Sequence, residues 1–180
     1  MKMTTYVLIH GAAGSAWEWH LVSGELGGRG HDVVAMDLPC DDDSAGLAEY
    51  TDAVIDAIGE RTGLVLVAQS FGGFTAPLVC DRVPVDLLVM LTAMIPSPGE
   101  PPGDWWDNTG YTQAKREQAE RDGSAGEDED VVATFLHDVP PGPGGRGHRA
   151  RAAAIQHPDG EAVAARGVAR CTDEVPALSR

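Results

Sequence analysis

Apolar positions along the chain follow two alternating patterns: short unbroken runs, and longer stretches that repeat with the period of an α-helix. The unbroken runs fall at residues 6–9, 33–36, 64–67 and 87–91. Runs this short without polar alternation are the signature of strands buried on both faces. Between them, residues 16–26 place Trp17, Leu21 and Val22 on one face, with Ser15 as a candidate N-cap. Residues 47–58 repeat Leu47, Tyr50, Val54 and Ile58 at helical spacing. The stretch after Ser70 repeats Phe71, Phe74, Leu78 and Val79, with Pro77 expected in the first turns of its helix. Strand and helix in regular alternation predict an α/β fold, a mostly parallel sheet with helices on both faces. Further along, residues 115–121 and 128–136 read as helices, and acidic residues open the second, where the helix dipole favours them.

The chain is organised around residues 64–73, LVLVAQSFGG. An apolar strand here runs straight into a small-x-Ser-x-Gly turn, with Ala68 and Gly72 flanking Ser70 by two residues on either side. Small neighbours let strand and helix pass closely, so the serine stands clear of the backbone. The backbone N–H groups and dipole of the following helix face the same spot.

Charge divides the chain. Residues 1–140 carry 7 basic and 24 acidic side chains, whereas residues 141–180 carry 6 and 4 and open on PGPGGRG. We therefore expect a core over residues 1–95, a helical segment over 96–140 and an atypical Arg/Ala/Gly-rich tail over 141–180. The formal net charge of -15 argues against nucleic acid or an anionic membrane as partner. No apolar stretch has the length of a membrane span, and the N-terminus does not read as a signal peptide. Cys40, Cys80 and Cys171 are far apart and lack ligand spacing, which fits a cytoplasmic location without structural zinc. Asp41, Asp42 and Asp43 are consecutive rather than spaced to converge on a cation, so a solvated loop is expected and no metal is assigned.

From residue 6 to about 139 the chain resembles the α/β-hydrolase superfamily, in particular small bacterial esterase-like members similar in layout to plant methyl esterases and hydroxynitrile lyases. The resemblance rests on His10-Gly11 after the first strand, Trp17 in the helix behind it, Asp37-Leu38-Pro39 at the second strand's end, and the AQSFGG turn, in that order. It implies Ser70 as nucleophile toward a small carboxylic ester, through an acyl-enzyme and with no cofactor. The oxyanion would be received by the backbone N–H groups of Phe71 and Ala12, with His10 shaping the loop rather than acting as base. It also implies a helical cap over residues 96–140, in which Trp105 and Trp106 either line the substrate pocket or form cap core. Lyase and cofactor-free peroxidase chemistry at the same site are not separated by sequence.

The same family orders its triad as Ser, then acid, then His, after strands that the apolar pattern does not show here. Downstream of Ser70 the histidines are His137, His148 and His157. Asp138 lies too close to His148 for an intervening helix and strand, and Asp173 follows every histidine. The acid and base are therefore unassigned. A truncation, or a frameshift near Pro141, would account for the charge break, the glycine run and the absent partners together, and sequencing the coding DNA across that region tests it. Two other classes stay open. A noncatalytic module of the same fold would bind a small apolar ligand or a partner without turnover. A short-chain dehydrogenase would use VLIHGAAGSAW as its nucleotide loop, Asp37 for the ribose, and Tyr111 with Lys115 as catalytic pair, although Trp17 crowds the third glycine position and AQSFGG is left without a role.

Overall fold

The computed structural model describes residues 3–12, 14–42 and 44–123. The helix expected over 128–136, His137, His148, His157, Asp138, Asp173, Cys171 and the 141–180 tail lie outside them.

Four strands alternate with helices: β1 (Thr5–Ile9), α1 (His20–Gly28), β2 (Asp32–Ala35), α2 (Leu47–Ile58), β3 (Leu64–Gln69), α3 (Gly72–Arg82) and β4 (Val85–Leu91). Two further helices follow, α4 (Pro102–Asn108) and α5 (Tyr111–Asp122). Every strand pair is parallel and the spatial order is β2-β1-β3-β4. The chain moves from β1 outward to β2, then crosses back to β3 on the other side of β1. With right-handed crossovers, that reversal puts α1 on one face and α2 and α3 on the other. None of the described helices is long and apolar enough to cross a membrane.

The core lies under α2 and α3. Val7, Ile9, Leu66 and Ala68 from the sheet meet Val54 and Ile58 of α2 and Phe74 and Val79 of α3. The helical repeat of 47–58 is realised over the expected span, and its start is fixed by the Gly46 N–H donating to Glu49 Oε2 at 2.8 Å. Residues 115–121 belong to α5, which begins earlier, at Tyr111.

Residues 16–26 depart from the expectation of one helix capped by Ser15. A 3₁₀ turn, Ala16–Trp19, comes first and α1 starts only at His20. Ser15 makes no side-chain cap bond; Asp37 Oδ1 instead accepts the Ala16 N–H at 2.8 Å. The tighter turn rotates the apolar face, so Trp19 is buried while Leu21 is 71% exposed.

β4 is an outer strand of the described sheet, and Leu87 and Leu91 are 55% and 44% exposed. Among the described residues β4 is therefore an open edge of the sheet.

Candidate active site

The reversal in strand order lies between β1 and β3, and a crevice forms outside the carboxyl ends of the strands at such a point. Two loops meet there: residues 10–12 leave β1, and residues 70–73 leave β3.

Ser70 has φ +51°, in the left-handed region that non-glycine residues rarely enter. A serine held there at a strand end, with a helix beginning two residues later, projects away from both elements. The contacts around it explain the small residues. A methyl group at Gly11 would stand 2.9 Å from Ser70 Cβ and 3.4 Å from Ser70 Oγ. One at Gly72 would stand 3.1 Å from the carbonyl oxygens of Ile9 and His10. The first loop therefore lies directly against the serine, and glycine on both sides permits the approach.

His10 holds that loop in shape. Its ring is fully buried, and Nε2 accepts the Leu38 N–H at 3.0 Å. Nδ1 must then carry the proton, which it donates to the Gly11 carbonyl at 2.7 Å. One imidazole thus joins the end of β1 to the segment after β2, as the loop-shaping expectation required.

Phe71 is buried, its ring 6.3 Å from that of Tyr50 and 5.2 Å from that of Phe74, so the side chain anchors the first residue after the serine in the core. Ala12 lies on the first loop and is exposed. Trp105 and Trp106 stand on α4, partly buried against the core cluster, and the Trp106 ring is 4.7 Å from that of Tyr111.

The other described histidines are engaged elsewhere. His20 stacks on Trp17 at 4.5 Å, and His31 meets the Tyr6 ring edge-on at the opposite end of the sheet. Among the described residues no group of three or more His, Cys, Asp or Glu could hold a metal ion. Asp41 and Asp42 are exposed, and Asp42 lies below the usual carboxylate range because the Ser44 hydroxyl and N–H both donate to it.

Residues 6–178 match the alpha/beta hydrolase family. The chain belongs to it. Among relatives, methylesterase 9 of Arabidopsis thaliana is 32% identical over 112 residues, which cover 56% of this chain and 44% of that protein. Esterase PIR7B of Oryza sativa subsp. japonica is 34% identical, over 53% of this chain and 40% of its own length. This chain therefore matches less than half the length of these curated relatives. A pyrethroid hydrolase from Sphingobium faniae JZ-2 superposes with a TM-score of 0.51 at 27% identity, over 58% of this chain and 46% of that one. An extracellular alpha/beta-hydrolase from a Paenibacillus species, at 22% identity, shares the fold with a TM-score of 0.61, over 81% of this chain and 64% of its own. The described sheet is thus part of an α/β-hydrolase fold.

Family membership displaces the dehydrogenase reading, and the local contacts agree with that. Asp37, the ribose-binding candidate of that reading, is occupied with the Ala16 N–H.

Proposed function

We propose that the chain carries the nucleophile half of an esterase-like site, in which Ser70 attacks a small carboxylic ester. The observation that carries this reading is the left-handed serine at the end of β3 with Gly11 pressed against it. A half-buried hydroxyl beside the N-terminus of α3 suits attack on a carbonyl whose oxygen becomes negative. The Phe71 and Ala12 N–H groups would receive that oxygen. The tetrahedral intermediate would expel the alcohol and leave an acyl-Ser70, which water hydrolyses. Esterase activity in the relatives supports the reaction class. Helices α4 and α5 would begin a cap, with Trp105 and Trp106 at its base. The acid and base would come from beyond residue 123 or from the portion of the fold that the longer relatives possess.

A noncatalytic ligand-binding role is the second reading. The observation favouring it is that the histidine nearest in sequence to the site loops, His10, has both ring nitrogens bonded to backbone and is not available as a base. Intact mass spectrometry after treatment with an alkyl fluorophosphonate separates the two. One adduct per chain, lost in Ser70→Ala, supports the hydrolase; a folded chain that takes up no adduct supports the binding module.

A further inference from the structure

Among the described residues only two non-glycine residues have positive φ: Ser70 at +51° and Thr92 at +44°. Gln69 pairs with Leu91 and each ends its strand, so Ser70 and Thr92 are the first residues beyond adjacent strand ends. A β-branched residue is strongly disfavoured in this region, and such backbone persists only where surrounding contacts over-determine it.

The contacts run between the two turns. The Ser70 N–H donates to the Leu91 carbonyl at 3.4 Å, and the Met94 N–H donates to the Ser70 carbonyl at 2.9 Å. The Gly73 N–H donates to that same carbonyl at 3.1 Å. Met94 is buried, and a methyl group at Gly73 would stand 1.9 Å from the Met94 carbonyl oxygen and 3.2 Å from Ala93 Cβ. The left-handed step at Thr92 thus folds residues 92–94 back onto the start of α3.

The Ser70 carbonyl and the Phe71 N–H belong to one planar peptide unit and point in opposite directions. Two donors on the carbonyl therefore fix where the N–H aims. We propose that Thr92 is a positioning residue: its left-handed turn brings the Met94 N–H onto the Ser70 carbonyl and so aims the Phe71 N–H at the oxyanion. The inference rests on the hydrolase reading for its chemical meaning, while the coupling itself can be measured without turnover.

Two variants break the turn in different ways. Thr92→Pro cannot adopt positive φ, and Gly73→Ala drives a methyl group into the Met94 carbonyl. Amide hydrogen exchange at Met94, the amide shift of Phe71 and the rate of labelling by an alkyl fluorophosphonate are read on the full chain. The wild-type Met94 amide is expected to be protected. Each variant that remains folded by circular dichroism is expected to lower that protection at least tenfold and to move the Phe71 resonance. Labelling should slow by roughly tenfold or more, approaching the ~100-fold typical of a lost oxyanion donor, with the noncovalent affinity of the probe unchanged. Thr92→Gly, which enters the left-handed region freely, should rescue all three readouts. An unprotected Met94 amide in the wild type overturns the inference, as does loss of protection that leaves the Phe71 shift and the labelling rate unmoved. If Thr92→Pro does not fold, Gly73→Ala alone decides. If the wild-type chain takes no label, the hydrolase reading fails, and the Phe71 shift still decides whether the turn aims the amide.

Discussion

Replacing His10 by alanine should destabilise the chain far more than an ordinary loop substitution. The ring is fully buried and serves two backbone groups at once, the Leu38 N–H and the Gly11 carbonyl. Removing it strands the Leu38 N–H and leaves the Gly11 carbonyl with the Gly14 N–H at 3.2 Å. Leu38 is itself 3% exposed, so water cannot readily replace the lost acceptor. A buried polar group left without a partner costs ~1–3 kcal/mol, and a hydrogen bond lost by a group that keeps another partner roughly 0.5–1.5 kcal/mol, so the loss is roughly 1.5–4.5 kcal/mol, a large share of the stability of many domains. Two polar replacements should divide that loss. Glutamine reaches far enough to return an acceptor to the Leu38 N–H, and asparagine carries an amide N–H near the position of Nδ1, facing the Gly11 carbonyl. Glutamine is expected to recover the larger share of the alanine loss and asparagine the smaller. Urea unfolding followed by tryptophan fluorescence measures all three against the wild type. An alanine variant within ~1 kcal/mol of wild type, or glutamine and asparagine variants no better than alanine, would refute the bridging role.

Asp37→Ala should cost about 1 kcal/mol by removing the acceptor of the Ala16 N–H, and should cost more than Ser15→Ala measured for lost capping in the same urea titration. Cys80, whose thiol is pushed up by burial and then by the neighbouring Asp81 carboxylate, should react with a disulfide reagent at pH 8 more slowly than free cysteine in a Cys40→Ser, Cys171→Ser background, and Asp81→Asn should speed it. The sign for stability follows: the protonated thiol supports the fold below its ordinary range, and that support disappears as pH rises through the shifted value. Leu87→Lys with Leu91→Lys should reduce self-association seen by sedimentation velocity with little loss of stability, because both side chains are largely exposed on an outer strand; unchanged association would show that this edge is not the sticky one.

The strands and the serine turn were legible because burial on both faces removes polar residues from 6–9 and 64–67, and because close passage at the turn demands glycine. Residues 47–58 were legible for a different reason: one strongly apolar face packs on the sheet. The start of α1 was hidden. The 3₁₀ turn that precedes it is held at Ala16 by Asp37, 21 residues away, and local pattern cannot report a partner supplied by another strand end. The left-handed step at Thr92 was hidden as well, since threonine is among the residues least expected there and it occurs beside long-range contacts, such as those of Met94 with Ser70 and Gly73, that local sequence does not show. The acid and base stayed illegible in sequence because the strands that would carry them leave no apolar run.

The central position of β1 sets an order of events during synthesis. Its residues pair with β2 through Thr5↔Asp32 and with β3 through Thr5↔Leu64, so one edge can close long before the other. A ribosome adding ~5–20 residues per second needs roughly 1.5–6 s to pass from the end of β2 to the start of β3, an interval in which the most buried strand of the sheet has a bare side. The serine turn closes later still, because its carbonyl waits for the Met94 N–H. The order of synthesis thus offers β1 to β2 before β3 exists, and the Ser70 corner cannot take its final shape until Met94 has been made.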